Sequence, residues 1–562
     1  MPQEKSRAPI AGDVFLRALA EHGVDFFFAN PGTDFPPIVE AFSRARAGNA
    51  KIPRPVLVPH ENLAVAMAHG AYLMTGRPQA VMVHVNVGTA NTINNLINLA
   101  RDGVPLLLAA GRTPVTETGN FGSRSRPIHW AQEMFDQAGM LREIVKWDYE
   151  LRRPEQIGDV VARAYQAAMT SPRGPVYLVL PREPLSSPVG DIDLAPPRAL
   201  PAAPHPDPGT IATLAQWLAA ATRPLIITGA TGADAVAPLA RLAERWAVPV
   251  VTHAPRTIGL PTDHAMHFGT DPGPLLAEAD LVIVIETDVP WIPSLQRPPA
   301  GCRVAHIGED PAFLRYPMRS FPSDLAITAN PANAIAALDA ALDGSAGNGQ
   351  VPARQDALAK RNAARRAQLA DKSKPGDAIS PEYLSRAIGE AVGEDAIVFN
   401  EYSLQLDHCG RSKPGTFFGL SPAGGLGWGV GAALGAKLAA PEKFVVAAVG
   451  DGAYLFANPT VCSWVAQAHQ LPVLTVIFNN GRYGAVRKAT LSMFKDGAAG
   501  EDDGRFFADL DPAPPYDAIV RAHGGHAERV ERPDELPAAL TRARDAVTKE
   551  GRQALLNVIC PY

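Results

Sequence analysis

The sequence predicts an α/β protein of three doubly wound parallel-sheet domains, and three observations lead there. Short, near-continuously apolar runs recur along the whole chain, as strands buried on both faces require. Segments of helical period, such as "ENLAVAMAHGAYLMTG", separate them, and strand alternating with helix implies parallel sheets. Two aperiodic stretches then divide the pattern into thirds of similar size.

In the first third the runs are "RPVLVPH", "QAVMVHVNVG", "VPLLLAAG" and "GPVYLVLP". The middle third has "RPLIITG", "VPVVTH", "DLVIVIETD" and "RVAHIG", and the last has "DAIVFNEY", "KFVVAAVGDG", "LPVLTVIFNN" and "QALLNVICPY". A proline-rich, aperiodic segment, Leu185–Gly209, reads as a semi-rigid connector. A second connector, mixing glycine-rich and charged helical character, runs through Leu342–Asp377. The expected organisation is an N-terminal domain at 1–185, a linker at 186–209, a central domain at 210–342, a linker at 343–377 and a C-terminal domain at 378–562. No strict sequence repeat relates the thirds; only the architecture repeats.

Composition bounds the function. The 562 residues are 46% hydrophobic and 19% charged, ordinary for a globular enzyme. A net charge of -5 leaves no electrostatic footprint for nucleic acid. Cys302, Cys409, Cys462 and Cys560 lack CxxC spacing, which argues against a zinc site or a disulfide scaffold. The N-terminus shows no apolar leader core, and no stretch approaches a membrane span of about 20 residues. A cytoplasmic enzyme with no nucleic-acid or membrane partner is expected.

The most informative stretch is "VGDGAYLFANPTVCSWVAQAHQLPVLTVIFNNGRYG", Val449–Gly484. It sets a carboxylate, Asp451, after one apolar strand and an amide, Asn480, after the next, with room for one helix between. In open parallel sheets, ligands bind beyond the carboxyl ends of the strands. Gly450 and Gly452 admit close backbone approach, and a following helix offers N–H groups to phosphate. One carboxylate and one amide oxygen cannot cage a metal alone. They suit Mg²⁺, which takes few protein ligands and completes its shell with phosphate oxygens and water. The stretch reads as a metal-bridged diphosphate site.

GDG, a helix, a strand and NN in this order resemble the thiamin-diphosphate motif of the 2-oxo acid decarboxylase and acetolactate synthase superfamily. "PRPVLVPHENLAVAMAHGAYLMTGRP" is similar to the segment that carries the superfamily's catalytic glutamate. "NPGTDFPPIVEAF", "VKWDYELRRPEQIGDVVARAYQAAMTSPRGPVYLVLP" and "AGGLGWGVGAALGAKLAAPEKFVVAAVGDG" resemble benzoylformate decarboxylase, while "HWAQEMF" is also similar to acetolactate synthase. The resemblance implies a pyrimidine-binding, middle and diphosphate-binding domain order. It also implies a homodimer or homotetramer with active sites at subunit interfaces.

Residue by residue, the resemblance implies a metal held by Asp451, Asn480 and the backbone carbonyl of Arg482. Gly452, Ala453, Tyr483, Gly484 and Ser403 would line the diphosphate. The Gly424 carbonyl would accept from the cofactor's 4′-amino group, and Leu426 would bend the cofactor into its V shape. "AGGLGWGVGAALG" lacks the GxGxxG pattern, so a dinucleotide fingerprint is a weak reading. Gly429, Gly431 and Gly435 read as close helix packing. Glu61, which taken alone would merely suit a helix dipole, corresponds to the glutamate that hydrogen-bonds N1′ of the aminopyrimidine and promotes loss of the C2 proton. His60 before it reads as structural.

His84, in "MVHVNVGTANT", corresponds to an active-site histidine of benzoylformate decarboxylase, at a position where acetolactate synthases carry none. A histidine there suits proton transfer near neutral pH, although a satisfied strand-end histidine is the plainer alternative. Thr33 stands at a substrate-facing serine position. The second active-site histidine of that decarboxylase has no counterpart, since "IETDVPWIPS" occupies its region. Gln132, Asp407 and His408 are lesser candidates. The expected activity is thiamin-diphosphate- and Mg²⁺-dependent decarboxylation of a 2-oxo acid to an aldehyde, with carboligation as a side or main activity. The alternatives are an acetolactate-synthase-like carboligase and a non-catalytic thiamin-diphosphate-binding protein. FAD is not expected, because no arginine-bearing flavin stretch follows "DLVIVIETD".

Overall fold

A computed structural model describes residues 8–190, 192–194, 196–345, 347 and 349–561. Three parallel sheets carry the chain. The first is built from β1 (Phe26–Asn30), β2 (Arg54–Leu57), β3 (Gln79–Val83), β4 (Leu106–Arg112), β5 (Asp148–Glu150) and β6 (Val176–Pro181), in the order β2-β1-β3-β4-β6-β5. The second holds β7 (Pro224–Thr228), β8 (Val250–Thr252), β9 (Leu281–Ile285), β10 (Arg303–Gly308) and β11 (Leu325–Thr328), ordered β11-β10-β9-β7-β8. The third comprises β12 (Ile397–Glu401), β13 (Phe417–Gly419), β14 (Val445–Gly450), β15 (Leu474–Asn479), β16 (His526–Val530) and β17 (Ala554–Ile559). Its order, β13-β12-β14-β15-β17-β16, repeats the topology of the first sheet.

The interior strands β3, β7, β9 and β15 are buried at every residue. That burial is why their sequences are unbroken apolar runs rather than alternating ones. The first sheet packs on a core that includes Phe15, Phe27, Ile38, Leu107, Val161 and Leu178. The central sheet has its own core around Leu214, Ile226, Leu239, Ile283 and Leu338, and the third one around Leu384, Val446, Val476, Leu540 and Leu556.

The chain divides into two compact units. One contains the N-terminal part to Pro201 with Ser421–Glu442 and Ala453–Val473; the other contains Ala202–Leu420, Lys443–Gly452 and Leu474 onward. Within the first unit, the helix Glu61–Thr75 crosses the helix Gly429–Ala439 almost in backbone contact. A Cβ at Gly435 would stand 1.9 Å from the Met67 carbonyl oxygen, and one at Gly70 would stand 1.9 Å from that of Ala432. The glycines of "GVGAALG" are therefore packing residues.

Two expectations need correction. The connection between the GDG and NN segments forms two helices, Asp451–Phe456 and Pro459–Ala468, where one was expected. Pro459 has no N–H to continue a helix, and Asn458 before it turns left-handed at φ 60°. The segment "AGGLGWG", expected from the sequence to follow no clear strand, comes after the three-residue β13. Among the described residues no helix is long and apolar enough to cross a membrane.

Candidate active site

In the first unit, Glu61 opens the helix Glu61–Thr75 immediately after an extended His60 and is 7% exposed. Its Oε2 accepts a hydrogen bond from Asn91 Nδ2 at 3.1 Å. Gly88 gives its Oε1 room, since a Cβ there would approach it to 3.2 Å. Asn91 belongs to a row on the helix Val85–Arg101 that sequence reasoning missed. Asn95 donates its backbone N–H to Asn62 Oδ1 at 3.0 Å and its Nδ2 to the Asn62 carbonyl at 3.1 Å. Asn94 Nδ2 donates to the Leu426 carbonyl at 2.8 Å. Asn98 binds Gly425 in both directions, accepting its N–H at 3.0 Å and donating to its carbonyl at 2.8 Å. Asparagines 91, 94, 95 and 98 lie at helical spacing on one face. That spacing in "ANTINNLINL" was the available signal. One helix thus ties down both Glu61–Asn62 and the turn that bears Gly424 (φ 68°) and Leu426.

A cleft in the same unit is lined by Thr33, Asp34, His84, Val85, Arg112, Thr113, Pro114, His129, Gln132 and Arg182. His84 caps the helix Val85–Arg101, and its Nδ1 lies 2.6 Å from Asp34 Oδ1. That hydrogen bond holds the histidine above its ordinary pKa against the opposing effect of burial, with smaller pulls from the charges of Asp34 and Glu61. The Thr33 hydroxyl is buried without a partner. Thr33, His84, Gln132 and Glu61, all singled out from sequence, are thereby gathered in one unit. Asp34 was not foreseen.

In the second unit, β12, β14 and β15 are neighbours, with Glu401 opposite Val449 and Gly450 opposite Phe478. Ser403, Asp451 and Asn480 consequently leave one edge, the carboxyl edge where ligands of parallel sheets bind. Asp451 is 2% exposed. Its Oδ1 accepts the Gly452 N–H at 3.0 Å, while Oδ2 is buried without a partner. Burial pushes its carboxyl up to about 6, against the pull of the Gly452 N–H. Asn480 Oδ1 accepts the Arg482 N–H at 3.1 Å, and the Arg482 carbonyl accepts the Gly484 N–H at 2.9 Å. Each oxygen keeps a second lone pair for a ligand. A Cβ at Gly452 would meet the Tyr483 ring at 2.6 Å, and one at Gly450 the Ser403 hydroxyl at 3.2 Å.

An orphaned, desolvated carboxylate oxygen beside an amide and a carbonyl fits a hard cation. Among the described residues no cluster of three His, Cys, Asp or Glu offers a metal a complete set of such ligands. A cation at Asp451 therefore needs oxygens from a bound anion or water. Ala453 follows in the short helix Asp451–Phe456. Asp407 is engaged elsewhere in the unit, by Arg365 at 3.4 Å and the Thr270 hydroxyl at 3.4 Å. The neighbouring His408 is held below its ordinary pKa, chiefly by burial.

Comparison with known proteins agrees with this arrangement. Residues 10–140 match the thiamine pyrophosphate enzyme N-terminal TPP binding domain, residues 211–338 the central domain, and residues 402–558 the C-terminal TPP binding domain. The chain is 27% identical over 549 residues to a benzoylformate decarboxylase of Pseudomonas aeruginosa, covering 93% of this chain and 94% of the relative. It is also 27% identical over 568 residues to a probable acetolactate synthase of Mycobacterium bovis, covering 98% and 95%. In fold it is similar to a thiamine diphosphate-dependent 4-hydroxybenzoylformate decarboxylase of Rhodococcus jostii RHA1, with a TM-score of 0.79 and 22% identity over 99% of both chains. With both TPP-binding domains and the central domain matched in order, the chain belongs to the thiamine-pyrophosphate-dependent superfamily of 2-oxo acid decarboxylases and acetolactate synthases.

Proposed function

We propose that this enzyme decarboxylates a 2-oxo acid to an aldehyde, using thiamin diphosphate and Mg²⁺, with carboligation as a further activity. When bound, the cofactor supplies the nucleophilic carbon and the electron sink that cleavage next to a carbonyl demands. Asp451, Asn480 and the Arg482 carbonyl hold the metal. Ser403, Gly452, Ala453, Tyr483 and Gly484 line the diphosphate. Gly424 and Leu426 orient the aminopyrimidine, and Glu61 exchanges a proton with its N1′. Thr33 hydrogen-bonds the substrate carboxylate, and His84 delivers the proton that replaces the departing CO₂.

The observation that carries this reading is His84 in the Thr33 cleft, hydrogen-bonded to Asp34 and thereby held above its ordinary pKa. A decarboxylase must protonate carbon once CO₂ leaves, whereas a carboligase must keep protons away until a second carbonyl arrives. The acetolactate-synthase-like relative, which matches over 98% of this chain, supports the second reading, condensation of two 2-oxo acid units. Mass spectrometry of the products from a panel of aliphatic and aromatic 2-oxo acids separates them. Aldehyde and CO₂ are expected; a coupled hydroxy acid as sole product would establish the carboligase, and no turnover of any acid would return the chain to a binding role.

A further inference from the structure

We propose that Asp34 is the positioning residue for His84, fixing its tautomer so that Nε2 faces the cleft as the proton donor to the substrate carbon. This rests on reading the cleft as the substrate side.

The geometry is that of a built pair. Asp34 is 4% exposed, and an ionised carboxylate only accepts hydrogen bonds, so at 2.6 Å the proton between the two belongs to His84 Nδ1. Nε2 is left toward the cleft, with Gln132 Nε2 at 3.4 Å and the unpartnered Thr33 hydroxyl on the same lining. The other oxygen, Asp34 Oδ2, accepts the Val85 N–H at 3.2 Å. Val85 sits at φ 34°, a conformation that a β-branched residue keeps only when its surroundings impose it. One carboxylate therefore grips both the ring and the backbone that carries it. Two glycines make the space: a Cβ at Gly32 would lie 2.2 Å from the His84 ring, and one at Gly111 would lie 1.9 Å from Asp34 Oδ2.

The charges around the ring decide its protonation. Asp34 and Glu61 favour the imidazolium. Opposing them, Arg112 is already paired with Glu133 and Glu150. His129 is held below its ordinary value by burial and then by the charges of Arg182, Arg126, Arg124 and His84. Arg182, on the same lining, gives its N–H groups to the carbonyls of Thr33, Gly122 and Ser123, with the carboxylates of Glu183 and Asp34 acting on its charge. His84 is nonetheless raised, because its hydrogen bond to Asp34 outweighs the opposing effect of burial. In the reaction the Nε2–H bond breaks and a C–H bond forms at the carbon that bore the carboxyl group. The electron pair left by CO₂ ends in that C–H bond, and the neutral ring regains a proton from water.

The test uses ¹⁵N-histidine-labelled holoenzyme, with the His84 signals assigned by their loss in His84→Asn. The expected wild-type result is a neutral ring protonated on Nδ1 that titrates above a free histidine. In Asp34→Asn the titration should move to lower pH, the tautomer should change, and the alkaline limb of kcat/KM should follow in the same direction. Turnover should fall about tenfold or more, as for other histidines left in the wrong tautomer. In the His84→Asn background, Asp34→Asn should add no further loss. Should Asp34→Asn fail to fold, the wild-type tautomer and Asp34→Glu carry the test. A wild-type ring protonated on Nε2 when neutral, an unmoved titration, or an equal loss in the His84→Asn background would overturn the proposal. Full turnover by His84→Asn would instead remove the reading of the cleft, and the proposal with it.

Discussion

Asp451 shows what burying a carboxylate costs. Its carboxyl is buried with one oxygen unpaired and is raised to about 6. A folded-state pKa above the unfolded value of about 3.9 means the folded chain holds this proton more tightly. The stabilising contribution is therefore complete below the unfolded value and is lost as pH rises through 6. Cofactor-free Asp451→Asn should unfold at the same temperature as the parent or higher at pH 7.5, with the difference shrinking at pH 5. A cation reverses the sign, because it needs the ionised form. Retention of thiamin diphosphate should weaken as pH falls below 6 and disappear in Asp451→Ala at ordinary Mg²⁺, as read by equilibrium dialysis. Tight retention by Asp451→Ala would refute the metal assignment. At Glu61, the Glu61→Gln substitution keeps size and hydrogen bonding but cannot exchange a proton. It should fold and bind cofactor while C2–H exchange in deuterated buffer, followed by NMR, slows by orders of magnitude. Glu61, Asp451 and Asn480 were legible because motif spacing surrounds them. Asp34 was not, because an acid after "PGT" gains its meaning only when the chain returns His84, 50 positions further on, to it.

At the level of elements, burial sets what a sequence reveals. Most interior strands were readable as apolar runs, but β1, β5, β11, β13 and β16 were missed. All but β1, which is buried at two of its five residues, stand at sheet edges. They are short or only partly buried: "DYE" is half-buried throughout, and "LAIT" buries one residue of four. With one neighbour fewer, an edge strand needs less apolar sequence, and its pattern fades into the loops. The crossing of the helices Glu61–Thr75 and Gly429–Ala439 was legible only as a cluster of small residues. Its consequence is testable. Gly435→Leu forces a side chain onto the Met67 carbonyl and should destabilise the first unit by about 1–3 kcal/mol. The measurement is a fall in the lowest thermal transition, and an unchanged transition would mean that the helices part without cost.

Over the whole molecule, the first and third sheets share one strand order although no sequence repeat joins them. Topology here is fixed by where strands and crossovers fall, not by residue identity. That is why three α/β domains could be read from alternation alone. Glu61 and His84 belong to one compact unit, Asp451 and Asn480 to the other. The family resemblance implies active sites at subunit interfaces, and closed two-fold assemblies are the expected symmetry. Sedimentation of the active enzyme should show a dimer or tetramer, and a fully active monomer would exclude shared sites.

The proposed function requires that this chain replace the carboxyl group of a 2-oxo acid with a proton. Turnover of the best acid from the panel in D₂O, with thiamin diphosphate and Mg²⁺ and the product read by mass spectrometry, tests that replacement. The expected result is CO₂ release and an aldehyde carrying one deuterium at the carbonyl carbon, formed about 10²–10⁴-fold more slowly by His84→Ala. A coupled product formed in place of the deuterated aldehyde, or aldehyde formed as fast by His84→Ala as by the parent, would contradict it.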